Sequence, residues 1–482
     1  MGEADDGKET NLDMNDTRME RDPLGELPVP NSALYGIQTE RARHNFPISA
    51  LKPMPAFVTA MVWIKRSAAV THRETGRLPS KLADAIIAAA DEILGGEHRD
   101  QFVVDPYQAG AGTSHNMNTN EVLANRANEL LGGNRGEYKP IHPNDHVNMA
   151  QSTNDTIPTA IRLAALCMLP KLLGSISQLG DSLLTKGKEF DGIVKSGRTH
   201  LQDATPIRLG QEFAAYGHTV KRNASRIEAA ADSLRELGIG GTAVGTGLNA
   251  ERDYPRLMVQ HLSEVSEVEL REGDDKVQLM QSMGDVAAFS GVLRAYTIDL
   301  SKMANDLRLL SSGPRTGLAE IMLPAVQPGS SIMPGKVNPV IAEMVNQVCY
   351  QAIGNDTAIA AAAEAGQLEL NVMMPMIAHN LVFTMEILSN ASRVLAERCV
   401  DGITADAQQC AYWLERSPAI VTALAPKIGY SEAAKLAKEA VEKNLTVREL
   451  VVEKGVLSAA EVDDMLNLEA MTELGVPGTR KD

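Results

Sequence analysis

The sequence predicts an all-α protein organised around a central bundle of five long helices. Three segments repeat apolar residues every three or four positions over about six turns each, as in helices that pack side by side; they begin near Ile161, Leu209 and Val286. Two further helical segments cover about Val340–Ala365 and Val372–Glu397. Aromatic residues make up only 4% of the chain, whereas Ala, Leu and Met, all strong helix formers, are frequent. We therefore expect helices that pack closely on helices.

Taken in order, the 482 residues divide into an extension and three helical domains. Residues 1–22 are acidic and polar, and we expect them to be disordered. An N-terminal domain over residues 23–154 starts irregularly and then has helical patterning from about Pro55, over Lys81–Ile93 and near Asn120–Leu131. The long helices occupy residues 155–408. Residues 409–482 form a small C-terminal domain with three predicted short helices: Ser431–Glu442, Thr446–Glu453 and Ser458–Leu466. Ser431 and Ser458 are candidate N-caps.

Composition excludes several classes of protein. The net charge of −16 argues against a nucleic-acid surface and against binding to acidic membranes. We find no apolar run of about 18 residues, so we expect no membrane span, and no secretory or transit signal, so we expect a cytoplasmic protein. The four cysteines are scattered without metal-binding spacing, and we interpret them as small core residues in a reducing compartment. They are Cys167, Cys349, Cys399 and Cys410.

A Gly/Pro-dense loop over residues 313–339 interrupts the helical pattern. Loops of this length inside compact domains are usually lids or binding loops, or are disordered. This loop carries two hydroxyls, an ammonium group and a carboxamide within nine residues, at Ser330, Ser331, Lys336 and Asn338. Such groups can hold an anion and move a proton, so the loop is a candidate part of an active site that binds a small dicarboxylate.

Three other polar clusters lie beside or between the helical segments. They are Gly112-Thr113-Ser114-His115-Asn116, Gln151-Ser152-Thr153-Asn154-Asp155 and Gly197-Arg198-Thr199-His200. Each has a purely structural interpretation: the second resembles an N-cap, the third a turn with a satisfied histidine, and Gly-Ser-Ser in the loop a flexible linker. Together they supply short hydroxyl and amide donors with one lysine, one histidine and few carboxylates. That inventory suits the binding of carboxylates.

Three other functional motifs are excluded by their spacing or by a missing residue. Gly329 to Gly335-Lys336 has one residue too many for a phosphate-binding Walker A loop, and Val337 lacks the magnesium-binding hydroxyl. The glycine-rich segment 240–247 lacks dinucleotide-binding spacing. His142 and His146 are four residues apart, but an intervening Pro-Asn indicates a turn. We therefore predict no metal and no cofactor.

At this point the chain resembles the aspartase/fumarase superfamily. Residues 329–338 match that family's signature Gly-Ser-Ser-x-Met-Pro-x-Lys-x-Asn residue for residue, with Glu343 downstream. The resemblance extends from about Arg18 to the C-terminus and includes Tyr35-Gly36-Ile37-Gln38-Thr39 and Gly245-Thr246-Gly247-Leu248-Asn249. It implies three all-α domains and a homotetramer whose active sites are each built from three subunits. Long helices with more apolar surface than five can bury fit such self-association.

Within the superfamily, the chain is more similar to aspartate ammonia-lyases than to class II fumarate hydratases. The pointers are Ser114, Thr153 and the segment Ala363-Glu364-Ala365-Gly366-Gln367-Leu368, at which fumarate hydratases carry other residues. Met374 departs from both patterns, which have Glu or a basic residue there. Class II fumarate hydratase therefore remains an alternative, as does, less favoured, a catalytically silent structural homologue.

The resemblance also implies roles. Ser330 is the expected general base, and Lys336 and His200 complete the expected catalytic set. The expected donors to the reacting carboxylate are Thr113, Ser152, Thr153 and Ser331. Thr199, Lys336 and Asn338 are expected to hold the other carboxylate, and Asn154 and His200 to face the amino group of L-aspartate.

Overall fold

The computed structural model describes residues 16–478, and helices dominate it. The helices are α1 Ile37–Asn45, α2 Pro55–Glu74, α3 Ser80–Leu94, α4 Thr113–Leu130, α5 Thr153–Glu189, α6 Leu209–Ala231, α7 Tyr254–Ser266, α8 Lys276–Gln281, α9 Gly284–Leu310, α10 Val340–Glu364, α11 Met374–Arg398, α12 Ala407–Arg416, α13 Ala425–Ile428, α14 Tyr430–Lys443, α15 Val447–Glu453 and α16 Ala459–Met465. The predicted all-α class and the five long helices α5, α6, α9, α10 and α11 are confirmed.

Small two-stranded sheets, which the sequence did not predict, lie before or between the helices along the chain. The strands are β1 Thr17–Asp22, β2 Gly25–Pro30, β3 Val194–Thr199, β4 Gln202–Arg208, β5 Glu236–Leu237, β6 Arg271–Glu272, β7 Ile321–Met322 and β8 Thr404–Ala405. They pair as β1–β2, β3–β4, β5–β6 and β7–β8. All pairs are antiparallel except β5–β6, and Thr17 pairs with Pro30 in the first.

The expectation of disorder over residues 1–22 is wrong for its last six residues, which form β1. Gly25, at φ +117°, lets the chain turn back so that β1 pairs with β2. Arg18 then fixes the hairpin, because its guanidinium donates to the carbonyls of Pro30, Ala33 and Tyr35 at 2.7, 2.9 and 2.7 Å. Residues 1–15 of the predicted extension lie outside the described residues.

The chain forms two compact units. Of the described residues, the first unit comprises those up to Leu172, Ile227–Arg294 and Gln351–Ile387. The second comprises Leu173–Arg226, Ala295–Tyr350 and the described residues from Leu388 on. Each of the five long helices contributes residues to both units. This division differs from three consecutive domains, and the boundaries at residues 154 and 408 stay a prediction.

Polar contacts between long helices add to apolar packing within each unit. In the first, buried Arg162 of α5 donates to Asp285 of α9 at 2.7 Å. In the second, the hydroxyls of Tyr296 on α9 and Ser392 on α11 lie 2.6 Å apart, and both side chains are fully buried. Buried polar groups that find partners in this way fix which helices are neighbours.

Each unit also has a local apolar core outside the long helices. In the first unit this core lies among α1 to α4, with Val62, Ile86 and Leu123 fully buried. In the second it lies among α12 to α16, with Leu436 and Leu450 fully buried. These cores account for the helical character that the sequence predicted near both ends of the chain.

Capping explains where the last helices begin. Ser458 is the N-cap of α16 and forms a capping box with Glu461, as predicted, and Thr446 does the same for α15 with Glu449. The prediction of Ser431 as an N-cap is wrong, because α14 begins at Tyr430 after Gly429.

Two composition-based predictions concern α5. By length and composition α5 could cross a membrane, since an 18-residue window has a mean hydropathy of 1.4; 67% of that window is buried inside the protein, and the core helices of soluble proteins pass the same test. All four cysteines are free, and three are buried, but Cys167 on α5 is exposed.

Candidate active site

The predicted site residues fall into two groups, one in each unit. Thr113, Ser152, Thr153 and Asn154 belong to the first unit. Thr199, His200, Ser330, Ser331, Lys336 and Asn338 belong to the second.

In the first unit, the N-terminus of α5 carries Ser152, Thr153 and Asn154. The structural interpretation of this cluster as an N-cap is confirmed, because Ser152 Oγ accepts from the Asn154 N–H at 3.2 Å and Asp155 Oδ1 accepts from the Ser152 N–H at 2.9 Å. The cap leaves all three residues partly accessible. A capping role and a ligand-binding role are therefore compatible here.

Asp155 holds this turn against the glycine-rich segment. Its second oxygen, Oδ2, accepts from the backbone N–H groups of Gly240 and Thr242, both at 3.0 Å. Burial raises the pKa of Asp155 to about 6, against these hydrogen bonds and the charge of Lys65, which lower it. The segment that sequence analysis rejected as a nucleotide-binding motif thus supports the start of α5.

Thr113 is the first residue of α4 and follows a sharply turned backbone. Ala111 and Gly112 have φ of +62° and +94°, in the left-handed region. A Cβ at Gly112 would lie 2.9 Å from Ile157 Cγ1, so only glycine fits without displacing that side chain. The Ala111 N–H donates to the Val372 carbonyl at 3.0 Å. Thr113 is exposed at this helix N-terminus, where backbone N–H groups favour an anion.

A buried amide cluster connects α4 to the start of α5. Asn116, one turn after Thr113, donates through Nδ2 to Thr153 Oγ1 at 3.3 Å and to Asn148 Oδ1 at 3.1 Å. Lys65 of α2 lies at the centre of the cluster and is fully buried. Burial lowers the pKa of Lys65 to about 7, while the carboxylate of Asp155 raises it.

In the second unit, the loop folds back on itself around Ser330. Ser330 Oγ accepts hydrogen bonds from the backbone N–H groups of Ile332 at 3.2 Å and Met333 at 3.0 Å. The Gly329 N–H donates to the Lys336 carbonyl at 2.8 Å, and Asn338 Nδ2 donates to the Gly329 carbonyl at 2.7 Å. A Cβ at Gly329 would lie 2.6 Å from that Lys336 carbonyl. The loop is therefore a closed turn with defined hydrogen bonds and is not a flexible linker.

A cavity of about 410 Å³ adjoins this loop. Its charged lining residues are Arg308 of α9 and Lys336, and the lining includes no carboxylate. Asn338 and the hydroxyl residues Ser311 and Ser312 contribute further polar groups. Neither Ser330 nor Ser331 lines this cavity. Two cationic side chains without a carboxylate can bind a small anion in a protein whose net charge is strongly negative.

Thr199 and His200 lie at the tip of the β3–β4 hairpin. His200 and Leu201 occupy its turn with φ of +54° and +58°, the left-handed values of a two-residue hairpin loop. The predicted turn is therefore confirmed, and both Thr199 and His200 are exposed. Non-glycine residues seldom hold this backbone conformation, and they concentrate at functional sites.

A buried charge network fixes the base of this hairpin. Glu320, which is fully buried near the start of the loop, pairs with Arg198 at 2.8 Å and with Lys195 at 3.1 Å. Lys195 also pairs with Glu212 of α6 at 2.9 Å. The loop and the hairpin tip, which together hold six of the predicted site residues, are thereby tied to each other inside the second unit.

Sequence analysis missed Lys65, Asn148 and Glu320. For Lys65 a signal existed, because it lies four residues after Met61 and hence on the apolar face of α2. A charge on an apolar face indicates a buried partner. Asn148 and Glu320 lie outside the regular helical pattern, and nothing in the sequence distinguishes them from surface loop residues.

Potential metal ligands come together elsewhere. Within residues 16–478, one trio of carboxylate and imidazole groups lies within ligand distance of one another: Glu92, Glu97 and His98. Glu92 already accepts from Arg126 Nη2 at 2.8 Å. The trio contains none of the predicted site residues.

Comparison with known proteins identifies the family. Residues 25–354 match the family model described as lyase, and residues 420–473 match the model of the fumarase C C-terminus. The aspartate ammonia-lyase of Bacillus subtilis is 47% identical over 461 residues, which cover 96% of this chain and 97% of that protein. The chain belongs to the aspartase/fumarase superfamily. It is therefore a lyase.

Class II fumarate hydratases of the superfamily are also similar to this chain. The class II fumarate hydratase of Halobacterium salinarum is 50% identical over 462 residues, covering 96% of this chain and 98% of that protein. The crystal structure of recombinant class II fumarase from Schistosoma mansoni superposes with a TM-score of 0.92 at 37% identity, covering 95% of this chain and 99% of that one. Sequence identity over the whole chain thus establishes the superfamily. It does not distinguish between the substrates, which must be inferred from the active-site residues.

The burial of Met374 explains why this chain has methionine where the family patterns have a charged residue. It is the first residue of α11, and its side chain is fully buried in the first unit. An acidic or basic side chain there would have to be desolvated, whereas methionine suits an enclosed, irregular space.

Proposed function

We propose that this lyase is an aspartate ammonia-lyase, which eliminates ammonia from L-aspartate to give fumarate. Several relatives with that name are 46–49% identical over at least 94% of the chain. Ser114, Thr153 and Gln367 match the aspartase pattern. The reaction proposed is reversible and anti: the proton and the amino group leave from opposite faces.

Removal of the carbon-bound proton is the difficult step. The C–H electron pair remains on the carbon and spreads into the adjacent carboxylate, which is already negative, so that an aci-carboxylate dianion forms. The C–N bond then breaks with its electron pair on nitrogen, ammonia leaves, and the carbon–carbon double bond closes. An enzyme accelerates this sequence by placing hydrogen-bond donors and positive charge where the extra negative charge develops.

The observation that carries the proposal is the environment of Ser330 Oγ. This oxygen already accepts two backbone N–H groups. To act as a base, Ser330 first gives its hydroxyl proton to solvent water and then takes the carbon-bound proton. Loss of the hydroxyl proton leaves the two hydrogen bonds in place and strengthens them, because hydrogen bonds to an ionised acceptor are about twice as strong as neutral ones. Lys336 on the same loop supplies positive charge. Ser330 is therefore the proposed base, and neighbouring Ser331, which is exposed, is a proposed donor.

The remaining roles follow from chemistry and from the resemblance. Thr113, Ser152 and Thr153, at two helix N-termini, are proposed donors to the aci-carboxylate. Lys336, Asn338 and Thr199 are proposed to hold the other carboxylate, and Asn154 and His200 to face the amino group.

The proposed active unit is a homotetramer in which several subunits contribute to each site. The two groups of site residues lie in different units of one chain, and sharing between chains is one way to combine them. A cytoplasmic location and the absence of nucleic-acid and membrane partners remain predictions.

Class II fumarate hydratase is the second candidate, with water in place of ammonia. The relative from Halobacterium salinarum, 50% identical to this chain, favours it. The same base and the same carboxylate donors would serve, so the two candidates differ only in the group that leaves.

One assay distinguishes these candidates. Fumarate absorbs in the ultraviolet, so the purified protein is supplied first with L-aspartate and then with L-malate while fumarate formation is followed. We expect fumarate from L-aspartate, and release of ammonia in equal amount. Fumarate from L-malate alone would establish the hydratase, and no product from either would support the silent homologue.

A further inference from the structure

Lys65 is the most completely buried ammonium group near the candidate site. Its side chain is fully enclosed, and Nζ donates to Asn116 Oδ1 at 2.7 Å, Gln151 Oε1 at 2.8 Å and Asn148 Oδ1 at 2.9 Å. An ammonium group has three N–H donors and no acceptor. All three donors are therefore used on side-chain amide oxygens.

This arrangement fixes the orientation of the amides. Because an ammonium group can face only the oxygen end of an amide, the NH₂ ends of Asn116, Asn148 and Gln151 must point away from Lys65. Gln151 then donates to the carbonyls of Val147 and Met149 at 3.0 and 3.2 Å. The turn that leads into α5 is thereby closed.

The orientation of Asn116 has a chemical consequence at Thr153. Asn116 Nδ2 donates to Thr153 Oγ1 at 3.3 Å, so this hydroxyl oxygen is used as an acceptor. The hydroxyl hydrogen is then left to point towards a ligand. With the amide reversed, Asn116 would present an oxygen to Thr153 and would capture that hydrogen.

We propose that Lys65 is a positioning residue, which acts through Asn116 to make Thr153 a hydrogen-bond donor to the substrate carboxylate. The inference rests on the proposed function only in that the substrate is a dicarboxylate. Its energetic basis is that a buried lysine is costly to desolvate, so that a methionine would fill the same space more cheaply if packing were the only requirement.

A double-mutant cycle tests this chain of contacts. Lys65→Met, Thr153→Val and the double variant are compared for kcat/KM with L-aspartate. We expect Lys65→Met alone to lower kcat/KM by about 10- to 100-fold, mostly in kcat, because the donor matters most when the dianion forms. In the Thr153→Val background, Lys65→Met should cost less than about 3-fold, because its effect passes through a hydroxyl that is absent. Multiplicative losses would overturn the proposal.

A second pair of variants covers the case that Lys65→Met does not fold. Asn116→Leu removes the same link while Lys65 keeps two acceptors. Asn120→Leu is the matched control, since Asn120 donates to Asn148 at 3.2 Å in the same cluster and is not part of the link to Thr153. We expect Asn116→Leu, and not Asn120→Leu, to lower kcat and to be non-additive with Thr153→Val. Equal effects of the two would overturn the proposal.

The role of Lys65 can be tested even if the proposed aspartate ammonia-lyase function is wrong. If the wild type acts on L-malate alone, the aspartate assignment fails and the same cycle is measured with L-malate. If it acts on neither, calorimetry measures the affinity for 3-nitropropionate, whose nitronate dianion carries the same extra negative charge as the aci-carboxylate. Weaker binding in Lys65→Met and Asn116→Leu, with neither further weakened by Thr153→Val, would then support the proposal, and unchanged binding would overturn it.

Discussion

His115 shows how burial at a single residue links stability to pH. It follows Thr113 by two residues on α4, its side chain is buried, and its ring lies 5.0 Å from that of Phe57. Burial lowers the pKa of His115 to about 3, with a further lowering from His379 and an opposing effect of Asp105. Below about pH 6.5 the unfolded chain binds a proton here that the folded chain does not, so stability falls as the pH drops.

Replacing His115 should therefore weaken the acid sensitivity of the protein. Between pH 7 and pH 5 this one group costs about 2 kcal/mol of folding free energy. We expect His115→Met to lose about 2 kcal/mol less than the wild type over that interval, as measured by urea denaturation at both pH values. An identical loss in both proteins would show that His115 is protonated in the folded state.

Among single residues, the sequence allowed us to predict those whose reactive side chains lie within a recognisable motif. Ser330, Lys336 and Asn338 could be named because a long signature surrounds them. Lys65 and Glu320 could not, since their importance depends on burial and on partners that are distant in sequence: 51 residues separate Lys65 from Asn116, and 122 separate Arg198 from Glu320.

At the scale of elements, the start of α4 depends on one glycine. Gly112 combines φ +94° with a contact between its Cβ position and Ile157 of α5. Ile157 lies one turn after Thr153, so a larger residue at position 112 would disturb both helix N-termini that carry the proposed carboxylate donors. Gly132, just beyond α4, also has a positive φ, +84°, but has open space around its Cβ position.

These two glycines provide a matched pair of variants. Gly112→Ala and Gly132→Ala should each lose about 1–2 kcal/mol of stability from the left-handed backbone. Gly112→Ala alone should also raise the KM for L-aspartate, by about 10-fold or more. Steady-state kinetics and urea denaturation of both variants check this. A similar KM change in Gly132→Ala would show that the rise in KM comes from the strained backbone in general and not from the contact with Ile157.

Long helices were predictable because their apolar periodicity persists over many turns. The short strands were not: β5, β6, β7 and β8 have two residues each, too few for an alternating pattern. In β3–β4 the turn is formed by His200 and Leu201, whereas sequence rules recognise a two-residue hairpin loop by a pair such as Asn-Gly or Asp-Gly. The β3–β4 hairpin, which carries Thr199 and His200, was therefore predicted only as a turn.

At the scale of the whole molecule, the proposal that subunits share active sites predicts complementation. Ser330→Ala and Thr153→Ala should each lose about 10²-fold or more in activity as homotetramers, with a measurable remainder. If the two residues of one site come from different subunits, chance assembly of the two variants in equal amounts gives about a quarter of the sites both intact residues. Activity of co-expressed or co-refolded mixtures measures this. Mixtures no more active than the two variants would contradict sharing.

The most direct measurement is turnover of L-aspartate by Ser330→Ala beside Ser331→Ala. Because Ser330 is the proposed base, its variant should lose about 10²- to 10⁴-fold in kcat, while calorimetry shows near-normal affinity for succinate. Ser331→Ala, which removes one donor and no base, should lose less. Near-normal turnover in Ser330→Ala, or a larger loss in Ser331→Ala, would contradict the account.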